Sequence, residues 1–142
     1  MKKYIILLVA TVFVACVIFY ARFQFKVNKS MVNFENNPYT SIVGKNISSA
    51  ELATLINKAM NKNADNEVQR DENGYFIEND ENSIKIDVHF LLDDTILKAE
   101  QIEKSDLNLF ITAYSSAQFK CTKIEYHNKS KLVKYLYIEE QE

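Results

Sequence analysis

The sequence predicts an α+β protein in which an N-terminal transmembrane helix precedes helices packed on one face of an antiparallel sheet of about four strands. Three observations predict this fold class: an apolar run near the N-terminus, a helix start signal at Ser48, and the alternation of apolar and polar residues from Ile84 to Phe90. The 142 residues, less a membrane segment, are enough for one compact domain but not for two.

The apolar run covers residues 4–21, lies between Lys3 and Arg22, and contains no charged residue. As an α-helix it would be about 27 Å long, close to the roughly 30 Å of hydrocarbon in a bilayer. The run therefore predicts a membrane anchor over residues 1–21 that contacts lipid through residues 4–21. The larger side chains of this anchor are Tyr4, Ile5, Ile6, Leu7, Leu8, Val9, Val12, Phe13, Val14, Val17, Ile18, Phe19 and Tyr20.

A bacterial lipoprotein signal is the alternative interpretation of the same segment. Lys2 and Lys3 precede an apolar stretch that ends at Cys16, the residue that would be lipidated after cleavage. Phe13 stands where such signals prefer a small aliphatic residue, and the residues after Cys16 stay apolar. A retained helix is therefore favoured, and lipidation at Cys16 remains the alternative.

Basic residues flank the apolar run on both sides, so charge alone does not orient it. Lys2 and Lys3 precede it, and Arg22, Lys26 and Lys29 follow it. A two-lysine tail that leads directly into an apolar run is typical of a secretory signal. We therefore expect a single-pass protein of the cell membrane, with a cytoplasmic N-terminus and an extracytoplasmic C-terminal domain.

Residues 22–38 are predicted to form an amphipathic stalk and linker. Apolar side chains recur there at helical spacing, continuing from the end of the anchor: Tyr20, Phe23, Val27, Met31 and Phe34. Two partners remain open for this stripe, the chain's own domain or another copy of the chain. The Asn-Asn-Pro sequence that ends at Pro38 is predicted to end the helix, because proline lacks the amide that would continue it.

The soluble α+β domain is predicted over residues 39–142, and its first helix is predicted to begin at Ser48. Ser48 and Glu51 have the spacing of a capping box, in which each side chain bonds the other residue's backbone amide. An apolar face follows, and the helix is predicted to end near residues 61–63. That face consists of Leu52, Leu55, Ile56, Ala59 and Met60.

Strand patterns dominate the acidic section that follows. Short paired strands are predicted at Val68 and at residues 75–77, on either side of a turn that contains Gly74. Ile84, Ile86, Val88 and Phe90 predict one long strand with a buried face and a solvated face. Residues 95–102 fit helical and strand periods equally well, and a strand is favoured.

The last part of the domain is predicted to be a helix followed by a hairpin. The helix begins at residues 105–106 and has an apolar face formed by Leu107, Phe110, Ile111 and Tyr114. The hairpin pairs residues 118–127 with residues 132–138. A bulge near residues 122–123 would shift the inward–outward alternation of the first strand, so that apolar residues before and after the bulge both face the core.

The motifs exclude most site chemistry, so no catalytic residue, metal ligand or cofactor is predicted. An EF-hand loop aligned on Gly74 has Gln69 at its first ligand position and Asp80 at its last, which does not fit calcium. The two glycines, Gly44 and Gly74, cannot build a phosphate-binding loop, and the chain is net negative, which argues against nucleic acid. Cys121 is predicted to be a core residue.

The function predicted from the sequence is a membrane-anchored interaction or structural module at the cell envelope, with no reaction specified. The predicted surface for a protein partner consists of Tyr126, Tyr135 and Tyr137. The partner is unidentified, and a second copy of the chain is one of the candidates. The alternative is a tethered enzyme or ligand-binding protein with a pocket around Asp87, His89 and Cys121. Lysines of the last hairpin offer a further surface for anionic headgroups or an acidic partner, at positions 120, 123, 129, 131 and 134.

The order of apolar helix, amphipathic stalk and antiparallel sheet resembles that of pilin-like proteins. Those proteins carry a glycine just before the apolar segment and a glutamate near its start. The first glycine here is Gly44, and residues 4–21 contain no glutamate. The sequence therefore assigns no family.

Overall fold

The computed structural model describes residues 2–141, which form four helices and five strands. In chain order these are α1 (Lys2–Thr40), β1 (Asn46–Ser48), α2 (Ser49–Asp65), β2 (Lys85–Phe90), β3 (Thr95–Lys98), α3 (Ala99–Lys104), α4 (Leu107–Ala113), β4 (Gln118–Tyr126) and β5 (Val133–Gln141). The chain divides into two compact units, one that ends at Glu35 and one that begins at Asn36.

The first unit is formed by α1 as far as Glu35, and the large apolar side chains of residues 4–21 are exposed. Among residues 2–141, α1 is the one helix that is long and apolar enough to cross a membrane, and none of its most apolar stretch is buried. The sequence prediction of an N-terminal helix of membrane-spanning length and composition is therefore confirmed.

The prediction that the helix ends at Pro38 is wrong, because α1 includes Pro38 and runs to Thr40. A proline inside a helix removes one amide donor and crowds the preceding turn. Here Tyr39 is buried in the core, and the Thr40 hydroxyl donates to the Asn36 carbonyl at 3.2 Å. Packing of this last turn within the second unit thus outweighs the local cost of the proline.

The second unit contains a mixed sheet with the strand order β1-β4-β5-β2-β3. The α+β class is confirmed, but the sheet has five strands and is not purely antiparallel. β5 is antiparallel to β4 and parallel to β2, with Asp87 opposite Tyr137. The sequence pattern identified neighbouring hairpin strands, whereas this parallel pair joins strands that lie far apart in the chain.

The helix start at Ser48 is confirmed, but the helix continues beyond its predicted end. The Ser48 amide donates to the Glu51 carboxylate at 2.8 Å, and the Glu51 amide donates to the Ser48 hydroxyl at 3.3 Å, as a capping box requires. The predicted apolar face is buried. α2 ends at Asp65, and Asn63, on the same face, is buried and bonded to the backbone before β2.

α2, α3 and α4 pack on one face of the sheet, where the core lies. Phe119 of β4 is fully buried beside Phe90 of β2, and Phe110 and Tyr114 pack against both, with ring centroids 4.8–6.3 Å apart. The apolar face predicted for the helix after residues 105–106, which is α4, is thus confirmed. The Asp106 carboxylate accepts the Asn108 amide at 2.8 Å and so caps α4.

Two strand predictions are confirmed only in part. The short strands predicted at Val68 and residues 75–77 are reduced to one isolated bridge between Arg70 and Phe76. The strand predicted over residues 95–102 is divided between β3 and α3, because Ala99 and Ile102 are buried at helical spacing. The three-residue strand β1 was not predicted. It ends at Ser48, where the sequence pattern indicates only the start of a helix.

The remaining strand predictions are confirmed. β2 alternates buried and half-buried residues along its whole length. β4 and β5 form the predicted hairpin, and its register shifts between Cys121 and Lys123, where the bulge was expected. The bulge keeps Cys121 facing the core and leaves Ile124 partly buried against it.

Candidate functional site

The side of the sheet opposite the helices carries half-exposed aromatic and charged side chains, and we call it the outer sheet face. It is defined by the residues that alternate with the core positions and pair with one another across the strands. Its members are Lys85, Asp87 and His89 of β2, Ile96 and Lys98 of β3, Lys120, Lys123 and Glu125 of β4, and Tyr135, Tyr137 and Glu139 of β5.

Tyr135 is fixed near the middle of the outer sheet face by Asp87. The Tyr135 hydroxyl donates to Asp87 Oδ2 at 3.0 Å across the parallel pair. Burial raises the pKa of Tyr135 well above its ordinary value, and the hydrogen bond to Asp87 raises it further. The Lys123 ammonium lies 5.7 Å from the centroid of the same ring. Tyr135 is thus a neutral donor in a defined orientation.

His89 lies between two carboxylates, next to Tyr137. Its Nε2 is 2.7 Å from Asp94 Oδ1, and its Nδ1 is 3.9 Å from Glu139 Oε1. The rings of His89 and Tyr137 stack with centroids 6.2 Å apart and planes 28° apart. Nδ1 is buried and forms no hydrogen bond within residues 2–141. The arrangement fixes both rings on the outer sheet face.

Of the three tyrosines predicted as one surface, Tyr135 and Tyr137 are both on the outer sheet face. Tyr126 is 44% exposed and lines a shallow depression of about 200 Å³ with residues of the hairpin turn, including His127 and Lys129. A second register shift separates them, since Glu125 pairs with Tyr135 but Tyr126 pairs with Val133.

The structure does not bring Asp87, His89 and Cys121 into one pocket. Cys121 is 1% exposed and opposite Ile138, a core residue, so it points to the face that the helices cover. Asp87 and His89 lie on the other face of the same sheet. Burial raises the pKa of the Cys121 thiol, which opposes formation of the thiolate a nucleophile needs. The placement of Cys121 in the core was predicted.

The lysines of the last hairpin are partly neutralised by ion pairs. Lys134 Nζ is 2.7 Å from Glu78 Oε1, and Lys123 Nζ is 2.6 Å from Glu125 Oε1. The hydrogen bond with Glu78 raises the pKa of Lys134, and the same bond lowers the pKa of Glu78. Because two of the five lysines are engaged in this way, the hairpin is a weaker surface for anionic headgroups than its sequence suggests.

A cleft of about 420 Å³ lies beside the start of β2, between β2, the β3–α3 junction and the loop at residues 71–78. Asp87, Lys98 and Glu100 line it together with Tyr75. Glu100 is 4% exposed, and its carboxylate accepts the Phe76 amide at 3.1 Å. Across residues 2–141, no group of three His, Cys, Asp or Glu side chains could hold a metal ion.

Sequence reasoning missed the buried asparagines that hold the elements together. Asn36 donates to the Lys131 carbonyl at 2.9 Å and accepts the Val133 amide at 2.8 Å, which satisfies the backbone where β5 begins. Asn63 likewise donates to the Ile84 carbonyl and accepts the Ile84 amide. Position 63 follows Ala59 and Met60 by four and three residues, so its place on the apolar face was a usable signal.

No protein-family model, curated protein or solved structure matches this chain. A function must therefore be inferred from the residues and geometry of the chain itself. Two features are informative, the exposed apolar helix α1 and the outer sheet face.

Proposed function

We propose that this chain is a membrane-anchored interaction module of the cell envelope, in which α1 holds the α+β domain at a bilayer and the outer sheet face binds a protein partner. The single observation that carries the proposal is the difference between the two faces of the sheet. One face is buried under helices. The other presents Tyr135, Tyr137 and His89 in half-exposed, fixed positions among charged residues.

The chemistry of the outer sheet face supports recognition of a protein. Tyrosine is enriched at protein interfaces because its ring is large and apolar while its hydroxyl can form hydrogen bonds. Tyr135 is oriented by Asp87, and Tyr137 is stacked on His89. Side chains that are already ordered lose little conformational entropy on binding, which favours affinity.

Partner binding can be tested with a photo-crosslinking phenylalanine analogue placed at single positions of the full chain in cells. At Tyr137 we expect one discrete covalent adduct. The control position is Leu109, which is exposed on α4 in the helix layer and is expected to give none. Identical adducts from both positions, or no adduct at Tyr137, would contradict the proposed role of the outer sheet face.

We further propose that the N-terminus is cytoplasmic and that residues 39–142 are extracytoplasmic. The two-lysine tail before the apolar run supports this orientation. The expected result is that α1 keeps the chain in the membrane pellet after alkaline extraction, and that protease added to intact cells degrades the domain. Protection of the domain in intact cells, with digestion only after lysis, would reverse the orientation.

Lipidation at Cys16 remains the competing form of anchoring. It requires removal of residues 1–15, so that the mature chain begins at a modified Cys16. Mass measurement of the purified membrane form distinguishes the two: the retained helix gives the mass of the uncleaved chain. A mass that fits a diacylated chain starting at Cys16 would replace the transmembrane anchor with a lipid anchor.

Ligand binding in the cleft beside β2 is a second candidate, favoured by the size of the cleft. About 420 Å³ falls within the range of small-molecule sites. Lys98 and Glu100 supply charges of both signs at its wall. A compound that raises the unfolding temperature of the native chain, but not of the Lys98→Met variant, would support this function; equal stabilisation of both chains would contradict it.

A further inference from the structure

A continuous apolar stripe runs along one face of α1 from the membrane segment into the stalk. Its members follow one another at spacings of three or four residues, which places them on one side of a helix. They are Val9, Phe13, Cys16, Tyr20, Phe23, Val27, Met31 and Phe34. We call this set the α1 stripe.

Beyond the predicted membrane segment, three of the four stalk members of the α1 stripe are exposed, and Val27 is half-buried. Phe23 and Met31 are each 56% exposed, and Phe34 is 80% exposed. Lipid tails cover residues 4–21 if the helix spans a bilayer, but they do not reach the C-terminal end of the stalk. Apolar side chains of this size in water favour association with another apolar surface.

We propose that the α1 stripe pairs with the same stripe of a second copy of the chain, with the two helices parallel. This inference rests on the proposed function in one respect, that α1 lies in a membrane. Insertion in a common orientation then places two stalks parallel and at the same height above the bilayer. Confinement to the membrane plane also raises their effective concentration.

The geometry of the stripe favours a second copy over an unrelated partner. The partner must cross the same bilayer and then present apolar side chains over a further stalk of about 20 Å, the length of residues 22–35. A second copy meets both requirements in register. Symmetric pairing of identical surfaces is also the commonest form of protein assembly.

The α1 stripe offers large apolar side chains for pairing both in the membrane segment and in the stalk. Its aromatic members, Phe13, Tyr20, Phe23 and Phe34, expose between 56% and 80% of their surface. At about 200 Å² for a whole aromatic side chain, these four expose on the order of 500 Å². Phe13 and Tyr20 lie among lipid tails and would contribute packing contacts, whereas Phe23 and Phe34 of the stalk would be removed from water on pairing.

The charges of the stalk do not oppose this pairing. Arg22, Lys26 and Lys29 form a basic ridge about a third of a turn away from the α1 stripe. Two parallel helices that meet along the stripe keep these ridges apart and in contact with water or headgroups. The opposite side of the stalk carries a smaller apolar pair, Phe25 and Val32, which provides matched controls.

Oxidative crosslinking of full-length chains in membranes tests the proposal. Phe23→Cys and Phe25→Cys, each combined with Cys16→Ser, place one thiol at nearly the same height on opposite sides of α1; Cys121 stays buried. A disulfide needs Cα atoms within about 7 Å, so Phe23→Cys should give about tenfold more covalent dimer than Phe25→Cys. Equal yields, a higher yield at Phe25→Cys, or no dimer from Phe23→Cys would overturn it.

Failure of the pairing can be distinguished from failure of the anchor. The membrane pellet after alkaline extraction reports the anchor, and the crosslink in that pellet reports the pairing. A chain that is membrane-integral but gives no dimer contradicts only the pairing. A second matched pair, Met31→Cys and Val32→Cys, tests the same face further along the stalk, and Met31→Cys is expected to form the dimer.

Discussion

The side-chain amide of Asn63 on α2 satisfies both backbone polar groups of Ile84, immediately before β2. Its Nδ2 donates to the Ile84 carbonyl at 2.8 Å, and its Oδ1 accepts the Ile84 amide at 2.8 Å. Asn63 is fully buried, so no solvent competes for these bonds. The pair fixes the start of β2 against the helix layer.

Asn63→Ala should therefore destabilise the fold by about 3 kcal/mol, because two buried backbone groups lose their partners. Urea unfolding of the full chain in detergent micelles, followed by the near-ultraviolet signal of its tyrosines, measures the loss. Asn57→Ala, at an exposed position of the same helix, serves as the control and should change stability by no more than about 0.5 kcal/mol. Similar losses in both variants would contradict the assigned role of Asn63.

Tyr135 should make folding stability sensitive to alkaline pH. Burial and the bond to Asp87 raise its pKa in the folded chain, so the folded state holds the phenolic proton more tightly than the unfolded state. The resulting stabilisation is complete below about pH 10, the ordinary pKa of tyrosine. It is lost as pH rises towards the higher pKa of Tyr135 in the folded chain. We expect the alkaline loss of stability to be smaller in Tyr135→Phe.

The measurement for Tyr135 is a comparison of unfolding free energies at neutral and alkaline pH. Tyr137→Phe is the matched control, because it removes a hydroxyl from the next residue of the same strand face. Tyrosinate absorbance of the native protein gives an independent readout, since Tyr135→Phe should remove only a late-titrating component. An unchanged late component would contradict the assignment.

The Ser48 cap should stabilise α2 by about 1 kcal/mol, which Ser48→Ala would remove. The backbone amide of Ser48, and then its hydroxyl, lower the pKa of Glu51. The stabilisation that this lowered pKa gives is present above the pKa of Glu51 in the unfolded chain. It is lost as pH falls through the lower pKa of Glu51 in the folded chain. In Ser48→Ala the pKa of Glu51 should move part of the way back, as followed by carbon NMR of the carboxyl group.

Cys121 should react with maleimide only when the domain unfolds. Its side chain is buried, and burial raises its pKa, so both access and thiolate formation oppose reaction. In a Cys16→Ser background, labelling should be slow in buffer and fast in urea. Cys121→Ala added to that background should abolish the urea-dependent labelling. Rapid labelling of the folded chain would contradict the core position.

Much of the fold was predictable because its signals are local. The capping box at Ser48 joins residues three apart, and the alternation in β2 is carried by consecutive positions. The hairpin and its bulge were visible as a change of apolar phase after Cys121. Each of these signals depends on backbone geometry within a few residues, which a sequence pattern records directly.

The rest of the fold depends on contacts between residues far apart in the chain. The bond between Tyr135 and Asp87 spans 48 residues, and it exists because β5 lies between β4 and β2. No periodicity encodes which strands become neighbours. For the same reason the sequence pattern predicts a helix end at Pro38, since the contacts of Asn36 that support the last turn of α1 join it to residues near the start of β5.

The sequence predicted which face of its strand each residue of the candidate site occupies, but not which residues of other elements lie beside it. Tyr135 and Tyr137 share a face by simple alternation, whereas Tyr126 is displaced by a register shift that skips Lys134. Asp87 and His89 were placed correctly on a solvated face of their strand. Their neighbours Asp94 and Glu139 come from a turn and from the parallel strand, which the sequence did not bring together.

The central position of β5 has a consequence for how the protein is made. β4 and β1 pair on one side of β5, and β2 and β3 pair on the other, so β5 is the element that joins the two halves. It is also the last of the five strands to leave the ribosome. The nascent chain therefore exposes two unjoined half-sheets until β5 (residues 133–141) has left the ribosome, and chaperone contacts should persist until then.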